Sequence, residues 1–296
     1  MKRSLVLREL LNKENIVIAP SAFDALSAKL IEKAGFKAIS TTGYGISAVY
    51  LGAPDIGLLS FQESLEMHRR IIGAVKIPVI ADIDTGYGGP LNVARTVREF
   101  ERIGAAGVII EDQVEPKRCG YIPATRRILP IEKMISKIKA AVDAREDENF
   151  LIIARTDADD ISTEEAIKRM KAYLKAGADM VKSQPKSIEQ LKIEIREVNA
   201  PMHIGLGIGP LLNVSIDDLR EWGLEKGIVS FPLALLFAST RNMLRILDHI
   251  KRTGSLRGAE DALVSFNEFI DLIDFQYFKE LDQKYTESMK INKIYT

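Results

Sequence analysis

A single cysteine, Cys119, leaves this 296-residue chain no internal disulfide and no thiolate cluster for zinc. Histidine is almost as scarce: His68, His203 and His249 are scattered, which argues against an imidazole-built metal site. Neither charge is in excess. Forty-one basic residues face 41 acidic ones, so the footprint expected of a nucleic-acid or anionic-membrane partner is missing. No apolar run approaches a membrane span. The first residues carry a short apolar stretch broken by Arg8 and Glu9, which predicts an amphipathic helix rather than a signal peptide. Linkers and low-complexity runs are also lacking. These absences leave the expectation of a cytoplasmic protein, in a reducing compartment, whose partner is a small molecule.

What is present is a large apolar inventory, 46% of the residues, enough for one sizeable core. Strand-length apolar runs begin near Ile16, Ala38, Val79, Gly107, Phe150, Ala178, Met202 and Ile228, and amphipathic helical stretches separate them. About eight strand–helix repeats predict a (β/α)8 TIM-type barrel with extra C-terminal helices. Residues 1–296 read as a single barrel domain, with helices over about 232–296 for packing and oligomerisation.

The polar groups gather where those strands end, the face that carries the chemistry in such barrels. Val79-Ile80-Ala81 runs into Asp82 and Asp84, and Val108-Ile109-Ile110 into Glu111 and Asp112. Carboxylates at a buried strand end repel one another and resist desolvation. A hard divalent cation, Mg²⁺ or Mn²⁺, reconciles them with oxygen ligands from Asp82, Asp84 and Glu111. The bland alternative is a set of helix caps, and Asp112 fits that role. Thr42-Gly43-Tyr44-Gly45 reads as a glycine turn whose amides and hydroxyl could cradle a carboxylate. Arg155, after the fifth strand, could fork onto a carboxylate or simply pair with Asp157. Residues 115–130 lack periodicity and carry Lys117, Arg118, Arg126 and Arg127, which predicts a lid. On that lid Cys119 is either a proton donor or an incidental thiol. His68 and His249 fall in helical patterns as surface or interface residues, whereas His203 could face the barrel mouth.

Four stretches together, TTGYGISAVYLGAPDIGLL, DIDTGYGGPLNVARTV, AAGVIIEDQVEPKRCG and ARTDA, resemble the isocitrate lyase/phosphoenolpyruvate mutase superfamily. The resemblance is to its short-chain branch of methylisocitrate lyase, dimethylmalate lyase and carboxyphosphonoenolpyruvate mutase type. It is dense from about residue 19 to 157 and looser to FQYFKELDQKY near the C-terminus. It implies that Asp82 binds Mg²⁺ directly and that Asp84 and Glu111 hold it through waters. It further implies that Thr42, Gly43 and Tyr44 grip the carboxylate of the pyruvate-forming half. Asp55 would sit by the metal waters, and Arg155 would orient substrate oxygens. Lys117-Arg118-Cys119-Gly120 matches the lyases' lid motif, whose cysteine is the general acid. The implied activity is carbon–carbon cleavage of a 2-hydroxy di- or tricarboxylate to pyruvate or a related keto acid. Oxaloacetate decarboxylase, phosphonate mutase or hydrolase, and a metal-binding barrel without turnover stand as alternatives. The implied assembly is a homotetramer with its last barrel helix exchanged between paired subunits. Three positions depart from the lyase pattern: Tyr121 replaces a histidine, Gln184 a glutamate and Gly205 an asparagine.

Overall fold

A computed structural model describes residues 2–119 and 127–291, among them nine strands that run parallel in one sheet. They are β1 (Ile16–Ile18), β2 (Ser21–Ala22), β3 (Ile39–Thr41), β4 (Val79–Asp82), β5 (Gly107–Glu111), β6 (Leu151–Arg155), β7 (Met180–Lys182), β8 (Met202–Gly205) and β9 (Gly227–Ser230). The order β1-β9-β8-β7-β6-β5-β4-β3-β2 puts two consecutive strands at opposite ends. Only Ala19 and Pro20 separate them. The Ala19 amide donates to Val229 O (2.8 Å), and Pro20 O accepts from the Ser40 amide (3.2 Å). So β1 and β2 are two pieces of one stave, interrupted where proline has no N–H to give. The sheet closes as the eight-staved barrel the repeats predict.

Period-two alternation decides which side chains enter the barrel. Val17, Ala19, Ile80, Ile109, Leu151, Ile153, Met180 and Ile228 form one buried cluster inside it, joined by Leu7 and Leu11 of the helix Arg3–Glu14. The alternate residues, such as Val79, Ala81, Val108 and Ile152, pack outward in a second cluster with the surrounding helices. Two residues further along each stave, the same inward parity reaches Ser21, Ser40, Asp82, Glu111, Arg155, Lys182 and Ser230. That ring of polar groups lies on top of the apolar interior. It is a direct consequence of where each apolar run stops.

One expected local structure is different. Thr42–Gly45 is not a free glycine turn but the start of the helix Gly43–Leu51, with the Thr42 hydroxyl accepting from the Gly45 amide (3.3 Å) as its N-cap. Glycine at 45 is set by packing, since a Cβ there would lie 2.7 Å from Phe23 Cβ.

The chain forms two compact units, Met1–Phe237 and Ala238–Thr296. The first holds the barrel. The second holds most of the helix Ala234–Thr253, then the helices Phe266–Leu272 and Phe275–Ile291. Gly254, in the left-handed region at φ 64°, follows the first of these. Met243, Leu247, Phe266 and Phe278 of this unit are exposed. Among the described residues no helix is long and apolar enough to cross a membrane.

Candidate active site

The ends of β4 and β5 bring the sequence-predicted acids to one rim. Asp82 closes β4 and accepts the amides of Gly43 and Asp84, each at 3.1 Å. The first bond engages the Gly43 amide that the sequence offers to a substrate carboxylate. Asp84 follows in the left-handed region (φ 51°), buried, where it meets the Lys117 ammonium; Tyr87 Oη also reaches it (3.4 Å). Lys117, itself buried, bridges Asp84 to Asp55 (2.9 Å). Glu111 closes β5. One of its oxygens pairs with Arg155 (3.0 Å), while Oε1 is buried with no partner.

The electrostatics follow from this layout. Burial favours the neutral form of all three acids. At Asp82 the cations Lys117 and Arg155 and the two amides outweigh burial, so its pKa is lowered. At Asp84 burial wins over Lys117, with Asp82 and Asp55 adding to it, and the pKa rises to about 6. At Glu111 burial wins over Arg155 and Lys117, and the pKa rises to about 8. Lys117 and Arg155 are held firmly cationic: burial opposes this, but the ring of carboxylates outweighs it.

Arg155 makes the structural pair with Asp157 that its sequence offers, and its side chain also lines the cavity. Its guanidinium pairs with Asp157 (2.9 Å), reaches Glu111, and donates to Gln184 Oε1 (3.0 Å). Asp112 is not a helix cap. It is a buried anchor that accepts from Thr156 Oγ1 (2.7 Å), the Asp157 amide (3.0 Å), Arg169 (3.1 Å) and Tyr173 Oη (2.7 Å), and so fixes the β6 end.

His68 is a further correction. It is fully buried, not at a surface. Its Nδ1 bonds Ser64 O (2.7 Å) and its Nε2 bonds Thr41 Oγ1 (2.8 Å), and Thr41 Oγ1 in turn accepts the Asp82 amide (2.9 Å). Burial lowers its pKa, so the ring is neutral. With Nδ1–H donating to the carbonyl, Nε2 accepts from Thr41, and the chain Ser64–His68–Thr41 pins the Asp82 backbone. The signal was in the spacing. Leu65, His68 and Ile72 share a single stripe of the helix Phe61–Ala74.

Asp55, Asp82, Glu111, Lys117 and Arg155 line one cavity with Thr42, Tyr44, Arg118, Cys119, Lys182, Gln184, His203, Gly205 and Ser230. Asp84, Asp112 and His68 stand behind its lining. His203 faces the mouth, as its strand position suggests. Cys119 is half-buried and held on a segment whose base is closed by a bridge between Gln113 and Ile128. Gly120 and Tyr121 lie outside the described residues. Lys182 is a cavity residue that the sequence motifs do not mark. Its parity, two residues after inward-facing Met180, is the clue that it points into the barrel.

Among the described residues no three of His, Cys, Asp and Glu converge tightly enough to wrap an ion by themselves. The donor set still fits a hard cation that keeps part of its water shell. It is all carboxylate oxygen, and the buried Glu111 Oε1 has no other partner.

Comparison with known proteins places the fold in a known family. Residues 7–251 match the family model described as phosphoenolpyruvate phosphomutase. The 2,3-dimethylmalate lyase of Eubacterium barkeri is 40% identical over 96% of this chain and 99% of its own length. A 2-methylisocitrate lyase of Aeropyrum pernix is 40% identical over 94% of this chain and 89% of its own. A phosphonopyruvate hydrolase solved with oxalate and Mg²⁺ superimposes with a TM-score of 0.87 at 31% identity, covering 97% of this chain and 100% of that one.

Proposed function

The chain belongs to the phosphoenolpyruvate phosphomutase family, and from that premise we propose that it is a Mg²⁺-dependent carbon–carbon lyase. Its substrate is a 2-hydroxy di- or tricarboxylate of the 2-alkylmalate or 2-methylisocitrate type. The products are pyruvate or a related 2-keto acid and a second carboxylic acid. The observation that carries the reading is that Cys119 lines the same cavity as the acid rim of Asp82 and Glu111.

Asp82, Asp84 and Glu111 would hold Mg²⁺, which when bound polarises the substrate's 2-oxygen. Thr42 and Tyr44 face the 2-carboxylate. Arg155, fixed by Asp157 and Gln184, orients the oxygens without moving. As the 2-hydroxyl gives its proton to a carboxylate of the acid rim, with Glu111 Oε1 placed to take it, the oxygen's electron pair forms the C=O bond. The adjacent C–C bond breaks and its electron pair passes to the leaving carbon. That carbon takes its proton from the Cys119 thiol, which ends as a thiolate. Lys117 and Arg118 flank the cysteine and stabilise that thiolate. Residues 120–126, the middle of the expected lid over 115–130, lie outside the described residues.

Pyruvate release with Mg²⁺ tests this, using 2,3-dimethylmalate, 2-methylisocitrate, other 2-alkylmalates and oxaloacetate with EDTA controls. EDTA-sensitive pyruvate with its partner acid is the expected result. Pyruvate from oxaloacetate alone would replace the lyase with a decarboxylase, and silence across the panel would sink the reading.

The exposed apolar residues of the C-terminal helices support self-association as a cytoplasmic homotetramer that exchanges a helix. A monomer in sedimentation velocity would overturn that assembly.

A further inference from the structure

The cavity wall beyond the acids has the reverse problem: it holds donors and lacks an acceptor. Lys182 is buried, and among the described residues no carboxylate pairs with it. Its ammonium bonds only His203 Nδ1, at 3.0 Å. Ser21 is buried on the inward face of β2, lines the cavity, and its hydroxyl has no partner. Ser40 Oγ makes only long contacts, 3.4 Å to His203 Nε2 and 3.4 Å to Thr41 O. Ser230, next to Gly205 in the β8–β9 register, completes the wall. A ligand that satisfies this set must accept hydrogen bonds and carry negative charge.

Ser40, His203 and Lys182 are strung like a nucleophile triad, but the chemistry forbids that role. A lysine cannot stabilise an imidazolium. Burial, Lys182 and Arg155 all push the His203 pKa well down. The string is therefore a donor relay, not an activated serine.

Gly205 explains how the lysine fits. A Cβ at 205 would lie 3.4 Å from Lys182 Nζ and 3.2 Å from Pro232 Cγ. The asparagine expected at 205 would take the space the ammonium uses. The departures on the strands β7 and β8 are thus one rebuilt wall.

We propose that Lys182, with Ser21, Ser40 and Ser230, forms an anion subsite that receives the second carboxylate of the substrate, on the arc of the rim that runs from β7 through β9 and β2 to Ser40 of β3. This rests on the lyase reading for the identity of the first carboxylate, and it makes the substrate a dicarboxylate whose distal charge is recognised by lysine. The empty subsite is poised for this. Burial, then Arg155, lower the Lys182 pKa to about 7, against weaker opposing pulls from Asp82 and Asp157. An incoming carboxylate restores the missing counter-charge.

Calorimetric titration of the Mg²⁺-loaded protein in a Cys119→Ser background, where turnover is suppressed, with oxalate, which has no distal carboxylate to offer, and with 2-methylmalate, which has one, tests the proposal. In Lys182→Met the 2-methylmalate affinity falls roughly tenfold to a hundredfold, the range of a hydrogen bond to a charged group, and oxalate stays within about twofold. Lys182→Arg recovers part of the loss because it restores the charge. Gly205→Asn, which crowds the ammonium, reproduces the Met phenotype with Lys182 intact. Equal losses for both ligands, or none for 2-methylmalate, would overturn the subsite. The outcome is separable from the lyase reading, since binding needs no turnover. A selective loss in a protein that cleaves nothing would sink the lyase and leave the subsite standing.

Discussion

The two walls of the cavity solve opposite electrostatic problems. At the ends of β4 and β5, Asp82, Asp84 and Glu111 are crowded carboxylates, neutralised in part by Lys117 and Arg155. On the rest of the rim, Lys182 of β7, Ser230 of β9, Ser21 of β2 and Ser40 of β3 are donors that, among the described residues, lack a close carboxylate acceptor. On the proposed function the first wall takes a cation and the proposed subsite an anion, so a metal-bound polycarboxylate would complete both. The contrast also separates common chemistry from specificity. A wall built for a metal and a 2-oxygen suits any substrate with that head. The donor wall sees only the part in which substrates differ.

The sharpest way to break this division is at Asp82. Asp82→Asn keeps the size but removes the charge and one of two acceptors for the Gly43 and Asp84 amides. Turnover should fall by on the order of a thousandfold or more, whereas the 2-methylmalate-to-oxalate preference measured in any residual binding should persist. A preference that vanished with Asp82 would show that the walls are not independent. Cys119→Ser comes next, with an expected loss of about a hundredfold to ten-thousandfold in kcat, the usual contribution of a general acid. Its ligand affinities should stay near wild type. A serine variant with unchanged kcat would remove the proton donor from the mechanism.

A smaller effect tests how the acid wall is held. His68→Leu removes the acceptor for the Thr41 hydroxyl, so the bond that fixes the Asp82 amide loosens. The expected fall is about tenfold in kcat with Mg²⁺ affinity reduced in parallel, as for partners behind metal ligands generally. His68→Gln, which can accept from Thr41, should recover part of both. A loss of thermal stability with unchanged Mg²⁺ titration would make His68 packing only.

The acid wall was legible in the sequence because its residues follow apolar runs of strand length and sit in dense, specific motifs. Parity alone sends Asp82 and Glu111 inward. The donor wall was harder to read. Lys182 and His203 follow the same parity, but a lysine at a strand end also fits a solvated rim, and no neighbouring motif says otherwise. His68 was misread for a related reason. A lone polar residue in a helical pattern is assigned by its type, while its depth depends on which stripe faces the barrel. Thr42–Gly45 was misread because two glycines suggest a turn, although the apolar residues after them continue as a helix.

The donor wall has a support that can be weakened without touching the cavity. Behind β7, Glu194 and Asp159 form a buried acid pair. Ser183 Oγ donates to Glu194 (2.6 Å), the Gln184 amide donates to Asp159 (2.9 Å), and Glu194 Oε1 finds no donor. One proton settles the pair if Glu194 keeps it and donates to Asp159. Burial, then Asp159, push its pKa up to about 9. The sign follows from linkage. Between the ordinary carboxylate value of 4.5 and about 9 the folded protein retains a proton that the unfolded chain has lost. This contribution to stability is complete below 4.5 and is lost as pH rises through that window. Glu194→Gln mimics the protonated acid, with an amide donor for Asp159 and an oxygen for Ser183. The variant should melt close to wild type at low pH and several degrees above it near the alkaline end of the window, each pH unit being worth at most about 1.4 kcal/mol. It should also keep the 2-methylmalate preference to higher pH, because Ser183 and Gln184 carry the chain from Lys182 past the cavity. Parallel melting curves for the two proteins across the whole range would mean that Glu194 is not the proton holder, and the donor wall would then owe its rigidity to the strand β7 itself.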